Sequence, residues 1–146
     1  MRIVYNIFMK KTFIIGVVIL ALLVFGSWWS RTAPTNDPNI ISTKGIHWHP
    51  TLEIYVNGEM QTLPQNLGIG GVHGPLHTHE DLPNIHLEFD GRVTRDNVEL
   101  QRFFDVWDKD FYELGETVVM TVNGEVSTKF GEYEMKDGDK IVLRYE

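Results

Sequence analysis

Apolar and polar positions alternate with a period of two in a series of short runs beyond residue 50. TLEIYV (51–56) sets Leu52, Ile54 and Val56 on one face and Thr51, Glu53 and Tyr55 on the other, which predicts a half-buried strand. EMQTLP (59–64) returns beside it, and IHLEFD (85–90) buries Ile85, Leu87 and Phe89 by the same logic. ETVVMTVNGEVSTKF (116–130) predicts a second hairpin ahead of a last strand, KIVLRY (140–145). The dipeptides Asn57-Gly58, Asp90-Gly91, Asn123-Gly124 and Asp137-Gly138 punctuate these runs, and Asn, Asp and Gly accept the positive φ that tight hairpin turns demand. One segment changes period. In DNVELQRFFDVW (96–107), Leu100, Phe103, Phe104 and Trp107 fall at i, i+3, i+4 and i+7, a helical stripe that reads as core, and Asp96 with Glu99 three residues later resembles a capping box. Strands, one packed helix and strands again predict an α+β domain with a mixed sheet.

The N-terminal part shows no such alternation. TFIIGVVILALLVFGSWWS (Thr12–Ser30) carries no charge over 19 residues, a helix length that nearly matches a hydrocarbon core of ~30 Å. It predicts that residues 1–30 are a short cytoplasmic N-terminus followed by a single transmembrane anchor. Lys10 and Lys11 precede the run, so the positive-inside rule keeps the N-terminus cytoplasmic and sends the remainder out, with Trp28 and Trp29 at the outer interface. The alternative is a cleaved secretory signal, giving a secreted protein, and MKKTFIIG offers a second start at Met9 that would make its n- and h-regions compact; no A-x-A-like cleavage site precedes the next segment. RTAPTNDPNIISTKG (Arg31–Gly45) reads as a linker, and 46–146 as an extracytoplasmic domain.

Composition then narrows the chemistry. There is no cysteine, so disulfides, thiolate metal sites and thiol nucleophiles are excluded, and any metal must take nitrogen and oxygen ligands. From Gly45 onward 8 Lys and Arg stand against 19 Asp and Glu, a net of −11, which argues against nucleic acid as a partner and for cations. No G-x-S-x-G, Walker A, dinucleotide fingerprint or H-E-x-x-H occurs.

All six histidines fall between residues 47 and 86. Projecting the parity of TLEIYV backward puts His47 and His49 on the face of Glu53, away from the core, and IHLEFD puts His86 and Glu88 opposite Leu87. LHTH supplies a second pair, His77 and His79. Two His-x-His pairs on adjoining extended segments can give one ion three or four nitrogens, which suits zinc, copper(II) or nickel(II). The candidate ligands are therefore His47, His49, His77, His79 and His86. Glu53, Glu80 and Glu88, with Asp81 nearby, are the carboxylates that could join them or orient their imidazoles. His73 lies in a glycine-rich loop outside both pairs, and Met60, Met120 and Met135 lie outside the cluster, which disfavours copper(I). The reading is a metal-binding carrier, sensor or accessory module with zinc or copper as its ion. A metal-free module presenting Trp48 and Tyr55 to an unidentified protein partner is an alternative.

Three resemblances bear on this. HWHPTLEIYVNGE, LHTHEDLPNIHLEF and the FFDVW helix are similar to an uncharacterised family of exported or membrane-anchored bacterial and archaeal proteins with H-x-H, LHTHD…IHIE and FF-x-x-W motifs. The resemblance implies that His49, His77, His79 and His86 act as a unit; Glu80 stands here where the family usually has Asp. The C-terminal VVMTVNGEVSTKFGEYEMKDGDKIVLRY looks like the tail of β-grasp domains such as ubiquitin-like sulfur carriers, and implies a small β-grasp-like domain, with a small β-sandwich bearing one helix as the alternative. Gly45, His47, His49 and Glu53 follow the G…H-x-H-x-x-x-E order of cupins, which would imply a metal-dependent enzyme.

Overall fold

The computed structural model describes residues 2–32 and 37–146, with side chains over 14–30 and 37–146. Contacts divide the chain into two units, 1–37 and 38–146. The first contains helix α1 (Arg2–Thr32). Among the described residues no helix is long and apolar enough to cross a membrane. The apolar run read as an anchor begins at Thr12 and Phe13, whose side chains lie outside the described ones.

The second unit is α+β, with mixed strand directions. Its strands are β1 (Ile40–Ser42), β2 (Ile46–Trp48), β3 (Thr51–Val56), β4 (Glu59–Gln61), β5 (Leu76–His77), β6 (His86–Phe89), β7 (Val93–Thr94), β8 (Val118–Val122), β9 (Glu125–Ser127) and β10 (Lys140–Tyr145). Its α-helix is α2 (Gln101–Trp107). A five-stranded sheet runs β4-β3-β10-β8-β9, in which β10 pairs parallel with β3 and antiparallel with β8. The hairpins on either flank are those expected at Asn57-Gly58 and Asn123-Gly124, whose four residues all have φ between 51° and 88°. Gly91 and Gly138 also adopt positive φ, yet Asp90-Gly91 and Asp137-Gly138 each turn the chain between strands of different pairing rather than closing a hairpin.

The period-two logic held for burial. Leu52, Ile54, Met120, Ile141 and Leu143 are fully buried on one face of this sheet, in a core shared with Phe103 and Phe104 of α2. Ring contacts carry that core from Phe104 through Phe111 (4.8 Å) to Tyr145 (6.1 Å), whose hydroxyl donates to Phe111 O at 2.8 Å.

Three expectations change. The helix is shorter than 96–107: a 3₁₀ turn, Arg95–Val98, comes first, with Thr94 N–H and Oγ1 both donating to Asn97 Oδ1 at 3.0 and 2.9 Å, so Thr94 rather than Asp96 begins the element. Trp107, at the end of α2, is only partly buried. Ile40–Ser42, placed in the linker by sequence, is strand β1 paired with β7; residues 33–36 of that linker lie outside the described ones.

The approach to β10 is held by a buried carboxylate. Asp139 accepts from Tyr133 OH at 2.7 Å, Lys136 N–H at 2.9 Å and Asn123 Nδ2 at 2.9 Å. Asp139→Ala would strand these donors and is expected to cost on the order of 2–4 kcal/mol, read by urea unfolding. A change below ~0.5 kcal/mol would mean that solvent satisfies the donors.

Candidate metal centre

The histidines sit on a separate three-stranded sheet, β2-β6-β5. It exists because Pro50 follows His49: proline has no N–H to continue a ladder, and the chain leaves one sheet and enters another there. His49 N–H is taken up by Asp137 Oδ1 at 2.9 Å, and Pro50 O accepts from Ile85 N–H at 2.8 Å. Antiparallel register then sets His47 opposite Glu88 and His86 opposite His77. Since His86 and Glu88 are two apart on β6, all four side chains share one face. The other face carries Leu76 and Leu87, buried in the core.

Two imidazoles on this face have their tautomers fixed by what they touch. His77 is 1% exposed; its Nδ1 lies 2.8 Å from Gly74 O, which can only accept, so Nδ1 carries the proton and Nε2 the lone pair. His77 Nε2 is buried and has no hydrogen-bond partner. Burial also pushes the His77 pKa below the ordinary imidazole value, outweighing the opposite pull of the Gly74 carbonyl. His86 has the reverse polarity. Its Nε2 is 3.2 Å from both carboxylate oxygens of Asp81 and must donate to them, which leaves Nδ1 with the lone pair, buried and without a hydrogen-bond partner. The bond to His86 holds the Asp81 carboxyl below its usual range, so the acceptor stays ionised. A carboxylate or carbonyl behind each ring, and in front a nitrogen that makes no hydrogen bond, is the arrangement of metal-ligating histidines.

The remaining rings gather about this pair. The His77 and His86 rings stack at 5.2 Å and 15°, and His79 stands edge-on to both at 4.8 Å. Its neighbour Thr78 is fully buried, donating to Pro64 O at 2.7 Å and accepting from Leu67 N–H at 3.0 Å, which anchors the loop below. That loop turns back through Gly68 and Gly74. Gly74 N–H donates to Gly68 O at 2.8 Å, and a side chain on Gly68, at φ +69°, would collide with Leu76 O. The bridge between Ile69 and His73 completes the turn, placing the His73 ring 5.2 Å from His77 and 5.4 Å from His79. On the other side, His49 lies 4.7 Å from His86 and 4.8 Å from His47. A cleft of about 520 Å³, lined in part by His47, His73, His77 and Glu88, opens onto the cluster.

Among the described residues, three overlapping groups have ligand atoms within 4.8 Å of one another and could hold a metal ion: His73, His77 and His79; His47, His49 and Glu88; and His77, His86 and Glu88. The five histidines expected from sequence all belong, as does Glu88. His73, left out for lying in a loop, also belongs; the glycines that fold the loop back were its only signal. Glu80 joins none of these groups. Neither does Glu53, which accepts from Tyr55 OH at 2.8 Å on the five-stranded sheet. The backward projection from β3 failed at Pro50, and with it the cupin-like donor set of His47, His49 and Glu53. Comparison with protein families, curated proteins and solved structures finds no match for the chain.

Proposed function

We propose that this chain is a membrane-anchored module whose globular unit lies outside the cytoplasm and binds a transition metal ion, zinc or copper, through its clustered imidazoles. The observation that carries the reading is the pair of buried nitrogens without a hydrogen bond, His77 Nε2 and His86 Nδ1, on rings whose other nitrogens are tied to Gly74 O and Asp81. An unsatisfied buried polar atom costs about 1–3 kcal/mol, and two on facing rings are accounted for if an ion completes them. Imidazole and carboxylate donors suit zinc, copper(II) and nickel(II), with copper(II) the tightest by intrinsic affinity. A carrier, sensor or accessory role fits a site with one open side.

The strand order β4-β3-β10-β8-β9, with the first hairpin and the last strand parallel at the centre and α2 between the hairpins, supports a β-grasp reading of the five-stranded sheet. The histidine-bearing segment 62–94 would then be an insertion between its first hairpin and its helix, and the family resemblance through LHTH and IHLE would describe that insertion.

The metal reading is tested with full-length protein in detergent, titrated with zinc against a chromophoric chelator. Asp81→Asn is expected to weaken binding ~10- to 100-fold, since the acceptor that fixes His86 loses its charge. Unchanged affinity would remove His86 from the ligand set. Topology is tested by a reporter fused after Glu146, expected to be active outside the cytoplasm because Lys10 and Lys11 precede the apolar run; cytoplasmic activity would overturn the localisation.

A further inference from the structure

We infer that the cluster holds two metal ions in unequal positions: a tight one centred on His77, and a second, more exposed and exchangeable one on His47, His49 and Glu88. The inference rests on the metal-binding reading and extends it to stoichiometry and order of loading.

Lone-pair counting limits the arrangement. His77 donates its Nδ1 proton to Gly74 O and so has one free pair, on Nε2, yet two of the three groups require it: His73 with His79, and His86 with Glu88. Those two groups cannot each hold an ion at once. They are alternative surroundings of a single ion on His77, which can recruit donors from either side. The third group shares no histidine with them. Its two imidazoles lie beyond His86, and only Glu88 is common to both positions. A carboxylate has two oxygens and about four lone-pair sites, so Glu88 can serve two ions where an imidazole cannot. Its Oε1 stands 3.2 Å from His47 Nε2 and 3.7 Å from His86 Nδ1, between the two positions.

Burial makes the positions unequal. His77 itself is buried and has its tautomer set in advance, so little ordering is needed when an ion arrives. The His47 side chain is 66% exposed and that of Glu88 39%, so an ion there keeps water ligands and exchanges readily. The cleft that reaches both His47 and His77 gives an ion access to each. An acidic surface draws cations toward its exposed donors first. The outer position therefore accepts an ion that the inner one then competes for, by ligand exchange at Glu88 with no change of charge or oxidation state.

The test is a titration of the full chain in detergent with zinc, repeated with cobalt(II) for its ligand-field spectrum, and elemental analysis after gel filtration. The wild type is expected to bind two equivalents, at least tenfold apart in affinity. His47→Gln with His49→Gln, at positions that retain solvent contact, should lose the weaker equivalent and keep the tighter one within about threefold. His77→Gln should lose the tighter. One equivalent in the wild type, weakened by the His47/His49 double change, would mean that a single ion draws on the whole cluster and would overturn the two-ion inference alone. No uptake of zinc or cobalt by the folded wild type would overturn the metal reading beneath it.

Discussion

Phe103→Ala is expected to lower the stability of the globular unit by about 3–5 kcal/mol and its Tm by more than ~10 °C. Phe103 is fully buried, meets Phe104 edge-on at 5.7 Å, and belongs to the core that the five-stranded sheet shares with Leu76 and Leu87 beneath the histidines. Truncation would leave a cavity in this shared core, into which close-packed neighbours relax only partly. Trp107→Ala should cost less, although sequence alone ranks it with the core: Trp107 keeps solvent contact, and the Lys109 ammonium lies over its ring, 5.5 Å from the centroid. Urea unfolding of both variants tests the order. Equal losses would mean that the stripe of α2 is buried to its end.

His77→Ala is expected to give the largest loss of metal affinity of any single change, beyond the ~10- to 100-fold typical of removing a partner behind a ligand. The reason is its place in two of the three groups, with a nitrogen already bare. The pH dependence follows from the same residue. Its folded pKa is lowered by burial, so the native state favours the neutral ring; the stability this contributes is present above about pH 6.5 and is lost as pH falls through the lowered value. The lone pair needed for coordination is the one acid removes. Affinity should therefore be level above about pH 6.5 and fall as pH drops below it, with protons taken up as the ion leaves. A calorimetric titration in two buffers of different ionisation enthalpy checks both points; affinity that does not vary with pH would exclude imidazole ligands.

What could be read from the sequence was local. Period-two runs and Asn-Gly turns are encoded within a few residues, so β3 and β10 emerge at their observed limits and both hairpins at their observed turns, although EMQTLP runs past the end of β4 at Gln61. The parallel pairing of β3 with β10 joins residues some 90 apart and has no local signature. The metal centre divides the same way. His86 and Glu88 were placed on one face correctly because four uninterrupted residues of β6 carry the parity. His47, His49 and Glu53 were placed together incorrectly because Pro50 interrupts it. Asp81 as the orienting partner of His86, five residues away, depends on the path of the Leu82–Asn84 turn. His73 depends on a loop closed by backbone bonds between glycines. Thr94 took the cap expected of Asp96 because strand β7 delivers the chain to Arg95 already extended.

Two-bond ¹H–¹⁵N correlation of the imidazoles of ¹⁵N-labelled full-length protein observes His77 Nε2 and His86 Nδ1 directly. Before metal is added, His77 should appear as the Nδ1–H tautomer and His86 as the Nε2–H tautomer. On titration with cadmium-113, standing in for zinc, His77 Nε2 and His86 Nδ1 should shift and couple to the metal while the protonated nitrogens keep their tautomers. The reverse tautomer at either ring, or metal coupling that bypasses both nitrogens, would contradict the account.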